Sequence, residues 1–223
     1  LTRIIDDGMD DFEKVTAIYD YLALNVTYDE AVASMASTAD TTMYRAFTTY
    51  GALIDNKAVC DGIAGAVRLM CLMEGIPATE VSGTAADGGH AWNKVEIYGQ
   101  IYAVDATWSR VQIEGEYYVT SAYLLIDEAR LYETGHVENA NSSNAKRFSE
   151  EIAFNANNYF SLELNGAKHL VSDRNEFDTL IKAVKARGGT AVELKVAAGT
   201  NISALIAQSS CFLLSRPKGY SLS

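Results

Sequence analysis

The stretch that decides the fold begins at Val59-Cys60-Asp61-Gly62, passes through His90-Ala91-Trp92-Asn93 and ends at Val104-Asp105-Ala106-Thr107-Trp108. It supplies a thiol, an imidazole and a carboxylate in that order. The residues after Cys60, from Gly62 to Glu74, place apolar side chains at helical spacing, and Gly75 followed by Pro77 is a stop signal. Cys60 therefore stands on the first turn of a helix, where unpaired backbone N–H groups and the positive end of the helix dipole favour a thiolate. Gly62, Ala64, Gly65 and Ala66 leave little bulk on that turn, so another element can approach the sulfur. Taken alone, Cys60 reads more readily as a buried core thiol, a common fate of free cysteine.

His90 opens an alternating run to Ile97, Tyr98-Gly99 closes it, and Gln100 to Asp105 follows as a second run, the pattern of a β-hairpin. With Tyr98-Gly99 as a two-residue turn, Ile97 pairs with Gln100 and His90 falls opposite Thr107. Asp105, two residues from Thr107, then shares a face with His90 at a diagonal position. A three-residue turn without a bulge would reverse that parity. Singly, His90 reads as a hydrogen-bonded core or surface histidine and Asp105 as a strand-end carboxylate. Together with a helix-start thiol they make a candidate thiol acyl-transfer site.

Five segments, Gly51 to Gly62, Gly75-Ile76-Pro77, Val81-Ser82-Gly83, His90 to Asn93 and Val104 to Trp108, resemble in order the core of the transglutaminase-like superfamily, which is related to papain-like cysteine peptidases. Ile18 to Leu22 and Asn25 to Asp29 resemble the segment preceding that core in bacterial members. The resemblance covers about the first 130 residues. It implies an α+β, papain-like core with Cys60 on a helix packed against an antiparallel sheet that carries His90 and Asp105. It also implies the catalytic roles: Cys60 as nucleophile, His90 as base and acid, Asp105 as the residue orienting the imidazole. The family contains hydrolases, transferases and members without activity, so three readings stand. These are a cysteine peptidase or amidase, a protein-glutamine transglutaminase, and a non-catalytic surface module.

A chain of 223 residues with 18 Lys and Arg against 29 Asp and Glu, net charge −11, lacks the basic clusters that nucleic acid and anionic membranes require. No apolar run is long enough to span a bilayer, and the first residues lack the basic start and apolar centre of a signal peptide. The expected partner is a protein or peptide substrate. The resemblance suggests a secreted or cell-surface bacterial protein. Cys60 and Cys71 lie about 16 Å apart along one helix at 1.5 Å per residue, beyond disulfide reach. No Cys-x-x-Cys or paired histidines suggest zinc, so no cofactor or metal is expected.

Outside the core, Asp10 with Glu13 signals a capped helix whose Phe12, Val15, Tyr19 and Leu22 form one stripe. Glu30 to Thr42 reads as loop or weak helix, Tyr44 to Tyr50 as a short helix interrupted by Gly51, and Tyr117 to Ile126 as a last strand. His136 and His169 read as structural or solvent-facing, and Trp92 and Trp108 as core residues or cleft walls. The domain expectation is 1–137 catalytic, a polar linker at 138–150, and 151–223 as a small α/β accessory domain, with truncation left open. In the last, strands at 159–164, 191–196 and 211–214 alternate with helices at 176–186 and 201–208, and no chemistry is apparent.

Overall fold

The structure, a computed structural model, describes residues 4–35, 44–86, 88–113, 115–139, 148, 163–164, 167–186, 188 and 192–209. The chain divides into two compact units, Leu1–Asn155 and Ala156–Ser223.

The first unit opens with α1 (Asp11–Asn25), whose start is fixed as its sequence expects: the Asp10 carboxylate accepts from Glu13 N at 2.9 Å, and Asp10 N donates to Glu13 at 3.1 Å. Phe12, Val15, Ile18, Tyr19, Leu22 and Ala23 are its buried face. β1 (Thr27–Tyr28) runs parallel to β2 (Lys57–Ala58), with α2 (Glu30–Met35) between them in sequence. Two tight turns follow α2, a 3-10 turn at Arg45–Phe47 and a single π turn at Gly51–Asp55 that ends at Asn56 in the left-handed region, φ 53°. Gly51 thus opens a turn instead of interrupting a helix begun at Tyr44. A Cβ there would strike the Arg45 carbonyl, so only glycine lets the two turns stack.

Helix α3 (Cys60–Met73) begins at the thiol, and Glu74 with Gly75, φ 77°, ends it. β3 (Ala78–Ala85), β4 (Gly88–Ile97) and β5 (Gln100–Val104) form an antiparallel sheet with β8 (Val137–Glu138) on the far edge of β3, in the order β5-β4-β3-β8. The β4–β5 hairpin keeps the expected register: Ile97 faces Gln100 across Tyr98 and Gly99, whose φ values of 51° and 71° make a primed turn. β6 (Arg110–Ile113) and β7 (Glu116–Val119) form a separate hairpin. The strand expected over Tyr117 to Ile126 breaks after Val119. Thr120 caps a 3-10 turn at Ser121–Tyr123, and only Ile126 returns to pair, with Ala103. α4 (Glu128–Glu133) precedes β8.

The linker expected from residue 138 begins inside this sheet. Composition at 139–145 is loop-like, but the backbone just before it covers the free edge of β3, pairing Thr84 with Val137 and Gly83 with Glu138. Glu138 then accepts from the buried Lys94 ammonium at 2.5 Å, and Phe148 is buried. Residues 140–147 lie outside the described set.

The second unit contains β9 (Glu163–Leu164) paired with β10 (Ala167–Lys168), and β11 (Leu170–Val171) parallel to β12 (Lys195–Val196). α5 (Arg174–Ala186) and α6 (Ile202–Gln208) pack Phe177, Leu180, Ile181 and Leu205 with Ala167 and Val171 into its core. β11 answers to no sequence expectation, being only two residues long. The strand expected at 211–214 lies outside the described residues.

Candidate active site

Sheet and turns bring His90 and Asp105 together, and Cys60 opens α3. Gly62 and Gly65 let the preceding chain lie directly on the first turn of α3. A Cβ on Gly62 would come within 2.5 Å of the Ala46 carbonyl oxygen, and one on Gly65 within 2.6 Å of Thr49 Oγ1. Asn93 on β4 ties the same turn to the sheet, donating to Ala64 O at 2.9 Å and to Thr79 O at 3.2 Å. Cys60 packs with Ala64 and Ala91 and is 7% exposed.

His90 pairs with Gly83 on β3, and its ring stacks on Trp108 with centroids 4.9 Å apart and planes 20° from parallel. β5 pairs with β4 only as far as Val104 opposite Asn93, so His90 meets no strand partner at Thr107. The expected parity survives: Asp105 N donates to Tyr123 O at 2.9 Å, the 3-10 turn holds the chain there, and Asp105 Oδ2 meets His90 Nε2 at 2.8 Å. Asp105 Oδ1 accepts from Thr107 N at 2.9 Å.

Burial by itself pulls the His90 imidazole down. Hydrogen bonds with Asp105 and Cys60 and their charges overturn this and hold it at about 9, against an ordinary 6.5. Asp105 engages Nε2 of His90, and the Cys60 thiol donates to Asp61 Oδ2 at 3.5 Å. For Asp105, burial acts upward, but hydrogen bonds from His136 and then His90, with their charges, keep the carboxyl below the usual carboxylate range. Cys71 is fully buried, and burial pushes its thiol up to about 12, which leaves it inert beside Cys60.

Two residues that sequence reasoning gave no role join the site. Tyr28, opposite Ala58 in the β1–β2 pair, is raised to about 12 by burial, by the charges of Cys60 and Glu30, and by a hydrogen bond between its hydroxyl and Cys60. His136, read as structural or solvent-facing, is 1% exposed, and its Nε2 lies 3.2 Å from Asp105 Oδ2, the same oxygen His90 uses. A signal for His136 was present. Gly135, φ 78°, follows α4, with Gly135 N bonded to Tyr132 O and His136 N to Leu131 O, a Schellman turn. Such a turn folds its last residue back over the helix end.

The side-chain donor atoms of His90, Asp105 and His136 lie within 4.8 Å of one another, the composition of a small cation site. A cation would need three bare lone pairs converging on it. Here both imidazoles meet one oxygen at 2.8 and 3.2 Å, which are N–H···O hydrogen-bond distances. The cluster is hydrogen-bonded, and no chemistry is routed through a metal.

The sequence profile described as the transglutaminase-like superfamily core matches residues 1–113. The kyphoscoliosis peptidases of Homo sapiens and Mus musculus are 28% and 27% identical to this chain over 119 residues, covering 48% of it. The matched part spans only 17% of the length of each of these relatives. A solved structure described as that of a TGase is 30% identical with a TM-score of 0.40, over 43% of this chain and 26% of the other. With the profile covering more than half of its 223 residues, the chain belongs to the transglutaminase-like superfamily.

Proposed function

We propose that the protein is a thiol-dependent acyl-transfer enzyme that opens amide bonds of proteins or peptides through a thioester on Cys60, acting as a cysteine peptidase or amidase. The observation that carries this reading is the His90 imidazole set against the buried Asp105 carboxylate, Nε2 to Oδ2 at 2.8 Å, with the Cys60 thiol among the groups that raise it. The Cys60 thiolate attacks the amide carbonyl carbon, and the carbonyl π electrons move to oxygen. The backbone N–H of Cys60 at the helix start and the Tyr28 hydroxyl serve as donors to the developing oxyanion in this reading. Collapse of the tetrahedral intermediate breaks the C–N bond as His90 delivers its proton to the departing nitrogen. Water then gives a proton to His90, attacks the thioester and releases an acid, returning the thiolate to the imidazolium. Asp105 fixes the imidazole and offsets its charge throughout.

Hydrolysis is favoured over cross-linking because it needs only water at the thioester, and the curated relatives are named peptidases. The resemblance to secreted bacterial members supports a place of action outside the cell or at its surface. Incubation with a glutamine-containing peptide, with and without a labelled primary amine, tests the assignment. Release of ammonia or a new peptide terminus, absent in Cys60→Ala, supports hydrolysis. Incorporation of the amine would replace this reading with transglutamination. No reaction with a broad peptide set, and no acyl adduct on Cys60, would leave a binding module.

A further inference from the structure

His136 reaches Asp105 from the entry to β8, a strand held by very little backbone. β8 pairs with β3 at two positions, Thr84 with Val137 and Gly83 with Glu138, and Asn139 N adds one bond to Ser82 O at 3.0 Å. A pairing that short is marginal by itself, and a slip of one residue would turn each side chain of 136–138 to the opposite face. His136 Nε2 meets Asp105 Oδ2 at 3.2 Å only in the register observed. The face of β4 that carries His90 holds that register. His90, Trp92 and Lys94 alternate along β4 onto one face. Lys94 is 6% exposed, and its ammonium gives to Glu138 Oε2 at 2.5 Å and to Phe148 O at 3.4 Å. Trp92, between Lys94 and His90, lies edge-on to the His136 ring with centroids 5.0 Å apart. Gly83 leaves room for this approach, because a Cβ there would strike both the Val137 carbonyl oxygen and the Trp92 ring. Glu138 stands two residues beyond His136, so the ion pair and the imidazole–carboxylate contact are successive steps along one face. An apolar contact tolerates sliding, whereas a buried ammonium cannot be left without its acceptors.

We propose that Lys94 is a positioning residue for the acyl-transfer reaction: through Glu138 it locks β8 in register and so seats His136 on Asp105, which keeps the carboxylate aimed at His90. Resting on the acyl-transfer reading above, this adds to the site a side chain that touches neither substrate nor thiol. Its influence passes from Lys94 to Glu138, along the backbone to His136, and from there to Asp105 Oδ2, the oxygen that His90 Nε2 meets at 2.8 Å.

The test uses the whole chain. Lys94→Met keeps an unbranched side chain without the charge, and lets Glu138, whose side chain is 32% exposed, turn to water and β8 slip. Peptide hydrolysis by this variant should lose about tenfold in kcat with KM within about twofold, the signature of misaligned chemistry with binding intact. Lys14→Met breaks a different ion pair of the same unit, Lys14 with Glu74 at 3.3 Å, and should change neither. The chain has three histidines, so ring-proton NMR of histidine-labelled protein resolves His136. Its Nε2–H resonance should exchange slowly in the wild type and be lost in Lys94→Met. An unchanged kcat in folded Lys94→Met, an equal loss in Lys14→Met, or a His136 resonance that persists in Lys94→Met would each overturn the proposal. Where Lys94→Met does not fold, Glu138→Ala, at the more exposed partner, is read by the same three outcomes. Without turnover by the wild type the acyl-transfer reading fails, and the His136 resonance alone then decides whether Lys94 seats β8.

Discussion

Replacing Asp105 by Asn tests how the site makes its ion pair. The substitution removes the charge 2.8 Å from His90 Nε2 and keeps the shape of the side chain. In a buried setting the imidazolium then loses its main compensation, and His90 should fall from about 9 to its ordinary 6.5 or below. At 1.36 kcal/mol per pH unit, that difference is about 3 kcal/mol, or about 300-fold in the population of thiolate–imidazolium pair at neutral pH. The amide can accept from Thr107 N–H only by turning its N–H₂ to the imidazole nitrogens, so His90 Nε2 must accept and its proton moves to Nδ1, the wrong tautomer for taking a proton from a thiol. The assay is the rate of iodoacetamide labelling of Cys60 at pH 7, read by peptide mass, beside peptide hydrolysis. Both should drop by about two orders of magnitude, and far-ultraviolet circular dichroism should be unchanged. Labelling of the folded variant at the wild-type rate would refute the reasoning, because the carboxylate would then contribute nothing to the pair.

Other expectations follow from the same geometry. Since His90 is raised above its ordinary value, its share of stability is complete below pH 6.5 and is lost as pH rises toward about 9. Asp105, lowered, contributes above its ordinary 3.8 and loses that contribution as pH falls below it. Urea midpoints measured from pH 4 to 10 should therefore decline on the alkaline side in the wild type and stay flatter there in His90→Gln; equal decline in both would contradict the assignment. Hydrolysis should likewise fall above about pH 9, where His90 no longer carries the proton for the leaving nitrogen. Tyr28→Phe removes the hydroxyl beside Cys60 and is expected to cost about 10- to 100-fold in kcat with KM little changed; an unaltered kcat would remove Tyr28 from the oxyanion site. Gly62→Val drives side-chain atoms into the Ala46 and Thr48 carbonyl oxygens, 2.5 and 2.8 Å from the new Cβ, and should destabilise the first unit by about 3 kcal/mol in urea titration. A loss below about 0.5 kcal/mol would show that the 46–49 segment yields freely.

Local rules carried the reading far at Cys60 and along the β4–β5 hairpin. A helix start follows from apolar spacing and a stop signal, and a two-residue turn sets the β4–β5 register, but that pairing ends at Val104 and the bond from Asp105 N to Tyr123 O carries the carboxylate on to His90. Those rules ran out where the chain is placed by distant partners. Tyr117 to Ile126 is strand-like in composition, yet β7 stops at Val119 because Thr120 N bonds to Ser109 O and Thr120 caps a turn that carries Asp105 to its post. Tyr28 reaches Cys60 through a two-residue parallel pairing that no periodicity announces. His136 was legible only as the residue after a helix-ending glycine; that it lands on Asp105 depends on β8 closing the edge of β3, a contact from residues 82–84 to 137–139.

The central claim is that an acyl group passes through the sulfur of Cys60. Intact-mass spectrometry of the protein quenched in acid during turnover of a slowly hydrolysed peptide ester tests it most directly. The expected result is one added acyl mass, mapping to the Cys60 peptide, cleaved by hydroxylamine and missing from Cys60→Ala. An adduct that persists in Cys60→Ala, or turnover by that variant at the wild-type rate, would contradict it.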